Sequence, residues 1–201
     1  MLPGGLCKPV PKGTMIAADS TYEWRRVGEH VTDPRLSQAF VMIRASTGEA
    51  LMEKIVEGQI RFYNPLEFAV LEAVPQMHGS RRLSVHCRIM EWTPERMVAH
   101  TRYDPGLVLP RHSHASDSLI YILEGEVAID GRLCGAGTQI VLPKGAAIGP
   151  LIAGPEGCTF IESYAGDVTA TVLDAEGYER LLADRGIRSL GGQDLQTISA
   201  S

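Results

Sequence analysis

From residue 82 onward the apolar residues recur at every second position. Leu83, Val85, Cys87 and Ile89 alternate with Ser84, His86, Arg88 and Met90, the period of a strand with one buried face. Glu91-Trp92-Thr93-Pro94 reads as a turn and residues 96–103 as the returning strand. Asp104-Pro105-Gly106 is a further turn, residues 119–127 a strand-like run, and Asp130-Gly131 a hairpin signal. Gly135-Ala136-Gly137 and Pro143-Lys144-Gly145 punctuate two more short strands, and residues 158–164 and 168–173 follow. Strands this short and this regularly interrupted predict a mainly β sandwich or barrel. Asp174 is placed to cap a last helix carrying Tyr178, Leu181 and Leu182, with Gly186 beyond it. The tail from Gly191 is polar.

The first 81 residues read differently. Residues 1–31 predict an extended arm with a short strand near 21–27. Asp33-Pro34 fits an N-cap followed by Pro at the first helical position, and Leu36, Phe40 and Ile43 follow at helical spacing. Ser46-Thr47-Gly48-Glu49 has capping-box spacing ahead of Leu51 and Ile55. Asn64-Pro65-Leu66-Glu67 repeats the cap pattern, with Pro75 as its stop. Three short helices are therefore expected within 33–74, with Phe40, Met42, Ile43, Leu51, Ile55, Phe62, Phe68 and Leu71 to dock on the barrel or on a second subunit. The expected division is 1–81 arm and helices, 82–173 barrel, 174–201 helix and tail.

Composition sets the outer limits. With 201 residues, 44% hydrophobic and 21% charged, the chain is an ordinary globular domain. It needs no metal or disulfide merely to fold. The net charge is −5, and basic residues cluster only as the pairs Arg25-Arg26 and Arg81-Arg82, which argues against nucleic-acid binding. No apolar run approaches the roughly 18 residues of a membrane span, and no signal-peptide core opens the chain. Cys7, Cys87, Cys134 and Cys158 are isolated. They read as reduced thiols of a cytoplasmic protein, packing as small hydrophobes.

The chemistry concentrates between Gly106 and Gly125. His112 and His114 stand two apart on a strand and so share a face, where two imidazoles can bind one transition metal. Gly106, His112, His114 and Gly125 resemble the first signature of the cupin family, and Gly137 with Pro143-Lys144-Gly145 resembles part of the second. Arg102-Tyr103-Asp104-Pro105-Gly106, Leu123-Glu124-Gly125 and Glu156-Gly157-Cys158 are similar to the cupins of ChrR-type anti-sigma factors. The resemblance covers about 82–172. It implies a double-stranded β-helix, a jelly-roll barrel with its ligand site inside. It also implies a divalent transition metal (Fe, Mn, Ni or Zn), a small-molecule ligand or substrate, and a homodimer formed through terminal strands. Two family ligands are replaced: Ser118 stands where a glutamate is usual, and Ile148 where a histidine is. Asp117, His100, His86 and Glu162 are the candidate substitutes. The helical zinc module of the anti-sigma proteins has no counterpart, because Cys7 is the only cysteine before Cys87.

Other residues carry weaker expectations. Arg102 and Arg111 are candidates to bind a carboxylate, and Tyr103 and Tyr164 to act as acid or base. Tyr121, His78 and His30 read as structural. Three functions are open to such a chain. The first is a metal-dependent enzyme, dioxygenase-like or a lyase or isomerase, acting on a small oxygenated molecule. The second is a non-catalytic ligand-binding or sensory barrel. The third is metal-free acid–base catalysis, with His112 or His100 facing Tyr103 or Tyr164 in the lumen.

Overall fold

Strands make up nearly all the regular structure. The computed structural model describes residues 60–191 and the backbone of three earlier strands. Those three are β1 (Met15–Ile16), β2 (Tyr22–Val27) and β3 (Ala39–Arg44). A single 3-10 turn at Pro65–Glu67 leads into β4 (Val70–His78), β5 (Arg81–Trp92) and β6 (Met97–Tyr103). Then come β7 (Val108–Leu109), β8 (His112–His114), β9 (Ser118–Ile129), β10 (Arg132–Gly135), β11 (Gln139–Leu142), β12 (Leu151–Tyr164) and β13 (Ala170–Val172). Helix α1 (Ala175–Asp184) and β14 (Ile187–Ser189) close the described chain.

The main sheet runs β1-β4-β5-β6-β12-β9-β10, with β11 on β9, β14 on β4 and β7 on β12. A second sheet pairs β8 with β13. The result is the expected double-stranded β-helix, in which the long strands β9 and β12 each pair along different parts of their length with different partners. The hairpin foreseen at Asp130-Gly131 is present, both residues at positive φ (50° and 79°), as a two-residue turn of this hand requires.

The alternation read from the sequence fixes the inner face. Leu83, Val85 and Ile89 are buried, and on β9 Ser118, Ile120 and Ile122 are buried while Tyr121 and Leu123 are exposed. One apolar cluster (Leu83, Val85, Tyr103, Leu107, Leu109, Ile122, Phe160) fills one end of the barrel, and another (Ile89, Trp92, Met97, Ala99, Tyr164, Val168) the other.

The helices expected before residue 75 are corrected where the structure describes them. Phe40 and Ile43 lie in β3, which pairs antiparallel with β2; the short apolar run Ala-Phe-Val-Met-Ile satisfies both periods, and cross-strand pairing decides. Asn64 does cap, accepting from the Leu66 N–H, but it opens only one 3-10 turn. Pro75 does not end a helix; it sits within β4 where the register with β5 shifts between Ala73 and Gln76, and Val74 takes φ 50°. A bulge is where a strand tolerates proline. The capping-box segment at 46–49, with Leu51 and Ile55, lies outside the described residues, as do His30 and Cys7. The C-terminal helix is as expected: the Asp174 carboxylate accepts from the Gly177 N–H at 2.8 Å, and Leu182 is buried.

Gln76 ties these parts together. It is fully buried. Its amide N–H groups donate to the Val108 carbonyl and to the Tyr178 hydroxyl, and its oxygen meets His78 Nε2 at 3.1 Å. One side chain thus joins β4, β7 and α1. Gln76→Leu is expected to lower stability by about 3 kcal/mol, because buried partners lose their bonds together; a urea-denaturation midpoint equal to that of the wild type would refute the clamp.

Candidate functional site

The strand bearing the two histidines is short but held on both sides. His112 exchanges backbone hydrogen bonds with Ile148, at 2.9 and 2.8 Å, and β8 pairs along its length with β13. Separated by Ser113, the two rings leave the same face of β8. Their centroids are 5.0 Å apart and nearly perpendicular.

Each ring is fixed through Nδ1. His112 Nδ1 lies 2.9 Å from the Pro110 carbonyl, and His114 Nδ1 lies 3.2 Å from the Val168 carbonyl. A carbonyl only accepts, so both Nδ1 atoms carry the hydrogen and both Nε2 atoms present a lone pair. Burial favours this neutral form. It lowers the pKa of His112, and with the adjacent His112 ring it brings His114 down to about 4.

Opposite them, on β12, Tyr164 and Glu162 point inward. The Tyr164 hydroxyl is 3.4 Å from His114 Nε2 and 2.9 Å from Glu162 Oε2. The Thr101 hydroxyl donates to Glu162 Oε1 at 2.5 Å. Burial raises the Glu162 carboxyl above its usual range and, helped by that carboxyl, holds the Tyr164 phenol well above 10. Glu162, Tyr164 and His114 thus form a continuous, partly buried row of polar contacts.

These groups border a cavity of about 100 Å³ between the two apolar clusters. Its wall is otherwise mostly apolar, with Leu71, Val85, Ile89, Trp92, Met97 and Val168 among its residues, Cys87 and Tyr103 beside Thr101, and Glu72, whose carboxylate is held by Arg82.

The other candidates are distributed as strand parity dictates. Tyr103 is inward, edge-on to Phe160 with centroids 4.8 Å apart. Arg102 pairs in register with His86 and Thr159, and His100 with Arg88 and Ile161. These positions alternate with the inward Thr101, so Arg102, His100 and His86 face away from the lumen. His86 Nε2 is 2.9 Å from Asp104 Oδ2. Asp117 is exposed in the turn before β9, its carboxylate accepting from the Lys144 N–H at 2.7 Å. None of these four joins His112 and His114. Arg111 is directed to Asp130, at 3.1 Å. Cys87, also in the lumen, has its thiol pushed up to about 12 by burial, so it carries no thiolate. Thr101 was not foreseen; its inward parity needed the register of β6 against β12.

The donor set offers a metal two imidazole nitrogens. Ser118 is buried with no hydrogen-bond partner for its hydroxyl, and Ile148 is buried apolar. Among the described residues no three His, Cys, Asp or Glu side chains stand close enough to hold an ion. Glu162 can reach one only by leaving Thr101 and Tyr164. The residues as placed therefore do not fit a three-ligand centre.

Residues 71–165 match the family model of the ChrR cupin-like domain. That stretch, just under half of the chain, resembles a cupin domain. Solved structures similar to the cupin include an RmlC-like cupin from Shewanella frigidimarina, 22% identical over 41% of this chain and 76% of that one, with a TM-score of 0.38. The polyketide cyclase RemF from Streptomyces resistomycificus is 19% identical over 50% of this chain and 78% of that one, with a TM-score of 0.43. A structure of Rhodobacter sphaeroides SigE in complex with the anti-sigma ChrR is similar at 19% identity, over 40% of this chain and 44% of that one, with a TM-score of 0.36. No curated protein matches the chain. Among the described residues no helix is long and apolar enough to cross a membrane.

Proposed function

We propose that the cupin admits a small uncharged organic molecule to its barrel and moves a proton on it through Glu162, Tyr164 and His114, as an isomerase or lyase of the acid–base kind. The observation that carries this reading is that row of contacts itself, with His114 Nε2 at 3.4 Å and Glu162 Oε2 at 2.9 Å from one phenol oxygen, open to an apolar cavity. As base, the Tyr164 oxygen takes a hydrogen from the substrate while the phenol's own hydrogen passes to the Glu162 carboxylate to which it already donates, with the Thr101 O–H on the other carboxylate oxygen. As acid, the same transfers run in reverse. His114, kept neutral, stands beside the phenol oxygen and fixes its place. The apolar wall keeps water from competing for the proton.

A second reading is supported by the anchoring of both Nδ1 atoms, the arrangement that orients metal-binding histidines. In it His112 and His114 hold a divalent metal and Glu162 swings in as third ligand, making the protein a metal-dependent dioxygenase or lyase. Non-catalytic ligand binding shares the cavity but uses none of the proton chain.

One experiment separates them. Small hydroxycarbonyl compounds are incubated in D2O with protein dialysed against a chelator, and carbon-bound hydrogen exchange is followed by NMR. Exchange is expected to persist without metal and to fall about 100-fold or more in Tyr164→Phe, whose folding is checked by thermal melting. Exchange that vanishes on chelation and returns with Fe, Mn, Ni or Zn would favour the second reading. No exchange with any compound would favour plain binding.

A further inference from the structure

Two polar atoms at the cavity wall have no protein partner among the described residues. His112 spends its only hydrogen on the Pro110 carbonyl, so its Nε2 is an unpaired acceptor. The Tyr103 hydroxyl makes no hydrogen bond to any described residue, and it is an unpaired donor. The other two hydroxyls that line the cavity are committed, Thr101 to Glu162 and Tyr164 to Glu162, with His114 beside it. Unmet buried polar groups are costly, and a molecule that satisfies them is selected over one that does not.

The wall also states what is missing. Among the described residues none of those lining the cavity is lysine or arginine, and Arg102 faces outward. A carboxylate or phosphate entering here would be stripped of water with no cation to receive it and with Glu162 nearby. The rest of the wall, chiefly Ile89, Trp92, Met97 and Val168, is suited to aliphatic carbon. A cavity of roughly 150 Å³ accommodates one benzene ring, so about 100 Å³ sets the scale at a short chain or single small ring.

Resting on the reading that the barrel cavity is the ligand site, we propose that its ligand is an uncharged hydroxycarbonyl compound with a short aliphatic tail. Its hydroxyl hydrogen is donated to His112 Nε2, its carbonyl oxygen receives the Tyr103 O–H, and its tail lies against Trp92 and Met97.

The chain has two tryptophans, so Trp24→Phe leaves Trp92, in the cavity wall, as the sole indole reporter. Its emission is titrated with 1-hydroxybutan-2-one, butan-2-one and 2-hydroxybutanoate, using chelator-dialysed protein. The hydroxyketone is expected to bind about tenfold more tightly than the ketone, the worth of one hydrogen bond, and at least about tenfold more tightly than the hydroxy acid. Replacing His112 by leucine is expected to abolish the preference for the hydroxyketone over the ketone, and Tyr103→Phe to weaken both ketones alike. Equal binding of ketone and hydroxyketone by the single-tryptophan protein, or tighter binding of the acid, would overturn the proposal while leaving the cavity as a ligand site. No response of Trp92 to any of the three would overturn both. The three affinities before further substitution decide the matter even if the His112 variant does not fold.

Discussion

Alanine at position 125 is expected to destabilise the cupin by about 4 kcal/mol or more, while alanine at position 106 removes only about 1 kcal/mol. Both glycines belong to the motif that marks the histidine segment, and both have positive φ, 69° and 82°. They differ in surroundings. A Cβ on Gly106 would meet nothing within 4 Å, so only backbone strain is charged. A Cβ on Gly125 would overlap the carbonyl oxygen of Gly157 and stand 3.2 Å from the Cys158 Cα. Both obstacles are backbone, so no rotamer change relieves them. Gly125 pairs with Cys158 beside a register shift between β9 and β12, where two long strands bend together. Total stability of a domain this size is of order 5–15 kcal/mol, so Gly125→Ala is expected to bring the protein close to unfolding at room temperature. Urea denaturation followed by circular dichroism measures both variants. Equal losses would show that close strand approach does not set the requirement for glycine at 125.

Acid is expected to weaken the fold through His114. Its pKa falls from 6.5 to about 4 on folding, so the unfolded chain takes the proton first. Stability from the neutral ring is complete above pH 6.5, declines as pH falls, and is fully lost once pH passes about 4. At 1.36 kcal/mol per unit this amounts to about 3 kcal/mol, with about 2 lost between pH 7 and 5. His112 shifts in the same direction. Glu162, whose carboxyl is raised, works oppositely: the fold favours its protonated form, so its contribution grows as pH falls. The comparison of wild type with His114→Phe across pH 5 to 7.5 therefore carries the test. Urea midpoints of the wild type should fall with acid more steeply than those of the variant, in which only His112 still shifts in that direction. Parallel slopes would show that the ring is not held neutral by its surroundings.

Much of the barrel was legible from period and punctuation. The alternation at 83–89 names the inward residues, Asp130-Gly131 names its hairpin, and Asp174 names its cap. His112 and His114 share a face because any strand separates alternate residues that way. The opposite wall was not legible to the same degree. Whether Glu162 and Tyr164 or Ile161 and Ser163 point inward depends on how β12 meets β6 and β9, and that register is a long-range property. The same uncertainty let His86, His100 and Arg102 stand as candidates until pairing with one another and with Ile161 and Thr159 placed them outside. Before residue 75 the local signals misled. Phe40 and Ile43 fit a helix as well as a strand, and Asn64-Pro65 opened a turn that β4 cut short by pairing with β5. Caps and spacing describe what a segment can do alone, whereas partners along a sheet edge decide what it does.

Because β8 belongs to the small sheet with β13 while Glu162 and Tyr164 ride on β12 of the large one, the contact between His114 and Tyr164 is a seam between two walls. Any motion that parts those walls separates His114 from Tyr164, and any guest that draws them together shortens that contact.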